Sequence, residues 1–133
     1  MRKNKIPLGK VQKAFNDAIK RRDCRCMVQD FDFCEGQLEC SHFYTVGANP
    51  TLRFYPPNAY TQCQRHHWNH HNKKWQFYEM FLVAEHQQDW LKMQRLRHCI
   101  IKYTDELKAE IIKLCNEDRL DELTQRIEQE FGL

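Results

Sequence analysis

The sequence predicts an α+β fold, with helices at both ends of the chain and a short β-hairpin between them. Near the N-terminus, Val11, Phe15, Ala18 and Ile19 recur at the spacing of one helix face. Short runs of Phe, Tyr and Val, broken by Gly and Pro, fill the middle of the chain. From Ala59 onward the pattern turns helical again. These three observations place the strands between two helical regions.

Length and composition indicate one domain that spans residues 1–133. The chain has 133 residues, of which 41% are hydrophobic, and this is enough for one modest core. No stretch approaches the roughly 18 apolar residues that a membrane span needs, and the N-terminus lacks the apolar run of a secretory signal. We therefore expect a cytosolic protein with no membrane contact. Its seven cysteines then indicate free thiols or metal ligands rather than disulfides.

The first predicted element is a basic helix within residues 1–23. Residues 1–26 contain nine Lys and Arg residues, Arg2 and Lys3 among them, against only Asp17 and Asp23. A basic face of this kind suits a polyanion such as DNA, and a solvated, helix-favouring surface is the alternative.

The next elements are the two predicted arms of a hairpin, residues 37–46 and 51–55, joined by a loop that contains Gly and Pro. Arg53 lies between Leu52 and Phe54 on the second arm and would point away from both. An arginine in that position suits either a phosphate clamp or a structural ion pair.

A histidine-rich stretch, NAYTQCQRHHWNHHN, occupies residues 58–72 and is predicted to lie on or enter a helix. His67 and His71 are four residues apart, so on a helix they share one face and can bind one cation together. Read along the chain, His42, Asn58 and this histidine pair follow the order His, Asn, His. His70 falls off the 67/71 face and is expected to be a surface companion, with a direct role as the alternative.

The C-terminal region, residues 76–133, is predicted to form two or three helices that pack on one another or on a partner. Thr104 is the expected N-cap of one of them, with Asp105 and Glu106 in its first turn. The aromatic residues that follow the histidines are expected to pack in the core rather than to stack on bases. They are Trp68, Trp75, Phe77, Tyr78 and Phe81.

Three segments resemble an HNH, or ββα-metal, nuclease motif, in which a hairpin and a helix hold one divalent ion: CSHF at 40–43, LRFYPPNAYTQC at 52–63 and the QRHH and HHN runs that follow. The block is similar to the NinG/Rap family of phage recombination nucleases over residues 13–115, most specifically over 39–67. The resemblance implies a ββα-metal core at 24–75 and cleavage of branched DNA in a bacterial host cell. It also suggests a homodimer joined through the C-terminal helices.

The resemblance implies a role for each residue of the motif. His42 would be the general base, and Asn58 would hold the hairpin loop that orients it. His67 and His71 would hold Mg²⁺ or Mn²⁺ against the scissile phosphate, and two nitrogen ligands suit Mn²⁺ at least as well as Mg²⁺.

A third protein ligand for this ion is not evident from the motif. Several HNH enzymes have an Asp or His ligand directly before the base, where this chain has Ser41. Glu39 is a candidate for that ligand.

The cysteines suggest a second metal site. Relatives have one CxxC before the hairpin and another after the asparagine, and together these form a structural zinc knuckle. In this chain the first pair is CxC. The second pair is a cysteine and a histidine separated by two residues, which is the spacing of CxxC. The best predicted zinc quartet is Cys24, Cys26, Cys63 and His66, with Cys34 and Cys40 nearby. Packing as small buried groups is the alternative.

Two classes of function are consistent with the sequence. The first is a metal-dependent DNA endonuclease. The alternative is a non-catalytic, zinc-stabilised DNA-binding or adaptor module in which the histidines serve zinc alone. His42 favours the enzyme, because a pure zinc module has no use for a histidine on the opposing strand.

Overall fold

The fold is α+β, as the sequence predicts. A computed structural model describes residues 5–133, so Arg2 and Lys3 of the basic segment lie outside the described residues. Within that range the helices are α1 (Leu8–Asp23), α2 (Gln64–His71), α3 (Gln76–Glu85), α4 (Gln87–Leu96), α5 (Asp105–Asn116) and α6 (Leu120–Glu130), and the strands are β1 (Leu38–His42) and β2 (Ala59–Cys63). None of these helices is long and apolar enough to cross a lipid bilayer.

Helix α1 is the amphipathic helix expected near the N-terminus. It begins directly after Pro7, whose fixed φ suits a helix start, and buries the four predicted apolar side chains. It ends at Cys24, which adopts the left-handed conformation with φ 60° and donates its backbone N–H to the Lys20 carbonyl. The buried face of α1 packs against α5 and against both strands.

The two strands form an antiparallel sheet in which Leu38 lies opposite Cys63 and His42 opposite Ala59. The first predicted arm is therefore partly right, whereas the arm predicted at 51–55 is wrong. That segment begins within the 3-10 helix Pro50–Leu52 and ends directly before the 3-10 helix Pro56–Asn58. Prolines fix φ and remove backbone donors, so they favour these turns over a paired strand.

Strand β2 occupies residues that the sequence pattern assigned to a helix. All five of its side chains are buried, so it lacks the polar and apolar alternation of a half-exposed strand. It passes directly into α2 at Gln64 without a connecting loop. The histidine-rich stretch at 58–72 therefore enters a helix, as predicted, but the helix begins only at Gln64.

The C-terminal region contains four helices after α2 within the described residues, rather than two or three. Thr104 caps the N-terminus of α5 as predicted, because its hydroxyl accepts the Leu107 N–H at 3.2 Å. Apolar side chains of α5 and α6 are buried inside the chain, and they are Leu107, Ile111, Leu114, Cys115, Leu120, Leu123 and Ile127. A homodimer through these helices stays a prediction.

Candidate functional site

His67 and His71 lie on one face of α2 with their Nε2 atoms 3.1 Å apart. Two nitrogens that bind one ion at right angles, each about 2.1 Å from it, are about 3.0 Å apart. In this structure the two rings are hydrogen-bonded to each other at that distance, and the same separation would suit two ligands of one cation.

Glu39, on strand β1, orients the first histidine of this pair. Its Oε1 accepts a hydrogen bond from His67 Nδ1 at 2.8 Å, which fixes the proton on Nδ1 and makes the Nε2 of His67 an acceptor. Its Oε2 accepts from Gln64 Nε2 at 3.3 Å. The hydrogen bond with His67 holds the pKa of Glu39 below its ordinary value, so the carboxylate is charged at neutral pH. Glu39 therefore orients His67 in this structure, and its role as a third metal ligand stays a prediction.

His42 ends strand β1 and is buried, with 8% of the residue exposed. It stacks on Phe15 of α1, with the ring centroids 5.7 Å apart, and its Nε2 donates to the Arg53 carbonyl at 2.8 Å. This bond fixes the proton on Nε2 and leaves Nδ1 as the acceptor. Burial lowers the pKa of His42 to about 4, so the ring is neutral at pH 7. Within residues 5–133 no hydrogen bond joins His42 to His67 or His71.

Asn58 is fully buried and connects both ends of the loop between the strands. Its Oδ1 accepts the Tyr44 N–H at 2.9 Å, and its Nδ2 donates to the carbonyls of Tyr44 at 3.0 Å and Leu52 at 3.3 Å. The Tyr44 end lies two residues after His42, and the Leu52 end lies one residue before Arg53. Asn58 therefore positions both the base candidate and the carbonyl that orients it.

Arg53 does not lie on a strand, contrary to the sequence prediction. It follows the first 3-10 helix, where its guanidinium lies 5.0 Å from the centroid of the Phe54 ring and its Nε donates to Gln12 Oε1 at 3.0 Å. Among residues 5–133 it forms no salt bridge. Its positive charge is therefore not neutralised by a carboxylate there.

His70 is buried, so its predicted place on the surface is wrong. Its Nε2 donates to the Phe43 carbonyl at 2.7 Å, and the ring packs against Phe43 and Tyr78. Burial lowers the pKa of His70 below its ordinary value. The hydrogen bond to Phe43 holds α2 against the segment that follows His42. The spacing of the histidines in the sequence does not reveal this structural role.

Glu39, His67 and His71 line one open groove of about 800 Å³. Trp68 lines the same groove with 63% of its surface exposed, and Trp75, elsewhere, is 52% exposed. The core packing predicted for these two tryptophans is wrong.

The other three aromatic residues of that set are more buried. Tyr78 and Phe81 are buried as predicted, and Phe77 is half-buried against the core.

A second cluster brings together the Sγ atoms of Cys26, Cys34 and Cys63 and the Nδ1 of His66, all within 4.8 Å of one another. His66 Nδ1 lies 3.3, 3.8 and 3.2 Å from the three sulfurs in that order. Around a tetrahedral zinc ion the nitrogen and sulfur ligands are about 3.5 Å apart. The cluster can therefore bind a metal such as zinc.

The predicted zinc quartet is wrong in one member. Cys24 is exposed, and its Sγ donates to the Arg21 carbonyl at 3.1 Å instead of joining the cluster. The left-handed turn that ends α1 at Cys24 separates it from Cys26. Cys34 takes the fourth place, although no CxxC spacing links it to Cys26.

His66 is held by a carboxylate that the sequence analysis did not identify. Its Nε2 lies 3.3 Å from Asp32 Oδ2, so Nε2 carries the proton and Nδ1 faces the thiols with a free lone pair. Asp32 also accepts from Arg65, and that hydrogen bond keeps the pKa of Asp32 low. A charged carboxylate behind a ligating histidine is the usual arrangement in protein zinc sites.

The thiols of this cluster disfavour a metal-free, fully ionised state. Desolvation raises the pKa of Cys26, and desolvation with the neighbouring thiols raises the pKa of Cys34 to about 12. For Cys63, burial is outweighed by backbone hydrogen bonds and its pKa is lowered. A bound cation would offset the repulsion among three thiolates.

The basic surface predicted for α1 is partly neutralised. Lys13 pairs with Asp17 at 2.7 Å, and Arg21 pairs with Asp118 on the loop after α5, also at 2.7 Å. Lys10 forms no salt bridge within the described part of the chain. The helix therefore presents fewer free cations than the sequence count suggests.

Comparison with known proteins gives one family. No curated protein matches the chain, and no solved structure matches it. A family model described as "Bacteriophage Lambda NinG protein" matches residues 2–125, which is most of the 133 residues. The chain therefore belongs to the phage lambda NinG family.

Proposed function

We propose that this protein is a metal-dependent DNA endonuclease that hydrolyses phosphodiester bonds in branched recombination intermediates. The convergence of His67 and His71, with Glu39 behind His67, carries the proposal. In this reading β1, β2 and α2 are the ββα-metal core of an HNH nuclease. Membership of a phage family supports a role in recombination, in the cytoplasm of an infected bacterium.

His42 is the general base of the proposed reaction. Its Nδ1 accepts a proton from the attacking water while Nε2–H stays bonded to the Arg53 carbonyl, which prevents the ring from turning. The water oxygen then bonds to phosphorus as the bond to the 3′ oxygen breaks. Asn58 keeps the loop, and so the Arg53 carbonyl, in place during this step.

His67 and His71 are the residues that would hold the catalytic ion. When bound, a divalent cation supplies positive charge beside the phosphate and the leaving oxygen. Two imidazole nitrogens suit Mn²⁺ or another transition ion better than Mg²⁺, which prefers oxygen ligands. Activity in Mn²⁺ is therefore expected to equal or exceed activity in Mg²⁺.

Contacts to DNA are expected to depend on charge and shape. Arg53 has no carboxylate partner among the described residues and lies beside the carbonyl that orients His42, so it is suited to contact a phosphate. The sites described within residues 5–133 include no element that reads base edges, so affinity should fall steeply with salt.

The alternative function, a non-catalytic zinc-stabilised DNA-binding or adaptor module, is supported by the Cys3His cluster. In that module the histidines would serve zinc alone. The cluster uses His66, however, and the Nε2 atoms of His67 and His71 converge at a separate point on α2. This separation favours the enzyme.

The test compares labelled junction, flap, single-stranded and linear duplex DNA of one sequence, in Mg²⁺ and in Mn²⁺. The wild type should cut the branched substrates preferentially, and His67→Ala should abolish cutting. His98→Ala is the matched control, because His98 is an exposed histidine outside the groove. Equal cutting of all four substrates would reduce the proposal to a nonspecific nuclease. No cutting in either metal would favour the binding module.

A further inference from the structure

Trp68 stands beside the proposed ion site with its indole uncovered. It follows His67 in the sequence and lines the same groove as Glu39 and His71. Its exposed fraction is 63%, and the indole forms no hydrogen bond within residues 5–133. Large aromatic side chains are usually well buried, so this exposure has no evident benefit for folding.

A second planar side chain lies in the same groove as Trp68. Arg65, on the same groove, is paired with Asp32 and lies 3.9 Å from the centroid of the Phe33 ring. Because that arginine is neutralised, it offers a planar stacking surface more than a free charge. Trp68 and the Arg65 guanidinium therefore present flat surfaces in the groove that the two histidines line.

Flat π surfaces of this kind bind nucleobases by stacking, with little dependence on sequence. In an intact duplex both faces of each base are already covered by neighbouring base pairs. Only an unpaired or splayed base, as at a flap, a gap or a junction, offers a free face.

We propose that Trp68 stacks on an unpaired base of the DNA next to the phosphate that the His67–His71 pair would hold, and so selects DNA with single-stranded character. The proposal rests on the proposed function for its location, but the stacking itself can be measured without cleavage.

The experiment measures binding in buffer without added divalent cation. Oligothymidylate and a blunt duplex of equal length are titrated against the wild type, Trp68→Leu and Trp75→Leu. Trp75 is the matched control, because it is similarly exposed but lines a different hollow with Phe43 and Tyr44. Trp68→Leu should weaken binding of oligothymidylate about 5- to 150-fold, the range that base–aromatic stacking gives. Its binding to the blunt duplex should stay within about twofold of wild type.

Tryptophan fluorescence gives an independent readout of the same contact. Oligothymidylate should quench the wild type and Trp75→Phe, and it should quench Trp68→Phe far less. Trp68→Leu should melt at the wild-type temperature, because the side chain is not part of the core.

The proposal would be overturned if Trp68→Leu bound oligothymidylate as tightly as the wild type does. It would also be overturned if the variant lost affinity equally for oligothymidylate and for the blunt duplex. A change in oligomeric state without any change in DNA binding would also overturn it and would make Trp68 a protein contact. A stacking result in a protein that cuts no DNA would support the inference and refute only the nuclease.

Discussion

Replacing Asn58 with alanine should lower the free energy of unfolding by about 3 kcal/mol. The side chain makes three hydrogen bonds in a fully buried position, at 2.9, 3.0 and 3.3 Å. A typical intramolecular hydrogen bond contributes about 1 kcal/mol net, and alanine leaves the Tyr44 N–H and the Tyr44 and Leu52 carbonyls without this partner. At about 2.1 cal/mol/K of unfolding entropy per residue, that loss lowers Tm by roughly 10 °C for a chain of this length.

Calorimetry or circular dichroism on heating measures this change. Asn116→Ala is the matched control, because Asn116 is exposed at the end of α5, and its Tm should stay close to wild type. Asn58→Asp should destabilise at least as much as Asn58→Ala. It keeps the acceptor for Tyr44 N–H but replaces the donor with an oxygen that faces two carbonyls.

A Tm for Asn58→Ala within about 3 °C of wild type would refute this reasoning, since the expected shift is several times larger. It would mean that water or a rearranged loop satisfies the same three backbone groups. Asn58 could then not be the residue that positions His42.

Two further predictions concern the metal cluster and the buried histidine. Purified protein should contain close to one zinc per chain by elemental analysis. Cys34→Ser should lose this zinc and melt at a lower temperature, whereas Cys24→Ser should keep it. The reverse result would restore the quartet predicted from the sequence. For His42, the folded pKa of about 4 lies below the ordinary 6.5, so its contribution to stability is complete above pH 6.5 and is lost as the pH falls toward 4. Between pH 7 and pH 5 the wild type should therefore lose about 2 kcal/mol more unfolding free energy than His42→Gln, at about 1.4 kcal/mol per pH unit below pH 6.5. Urea unfolding at the two pH values measures this difference, and equal losses would contradict the burial of His42.

Elements with local signals were predictable from the sequence. Four apolar residues on one face indicate α1, and the Thr104 cap indicates the start of α5. Both signals are visible in the sequence because they act within a few residues. Strand β2 was not predictable. It is buried on both faces, so its residues show no alternation, and its partner β1 is distant in sequence.

The same distinction applies to the candidate site. The spacing of His67 and His71 follows from helix geometry and is visible in the sequence. Membership of Cys34 in the metal cluster depends instead on the path of an irregular segment between α1 and β1, where no periodicity guides a prediction. The exposure of Trp68 depends on which side chains pack around it in the fold, and the residue type alone does not show this.

The direct passage from β2 into α2 makes this part of the chain intolerant of changes in length. From Asn58 to His71 there is no loop that could absorb an inserted or deleted residue. One extra residue in the strand would exchange its two faces, and one extra residue in the helix would rotate every later histidine by about 100°. Natural variation in length should therefore fall in the segments 45–50 and 97–104. Any engineered fusion or tag placed within the chain belongs there as well.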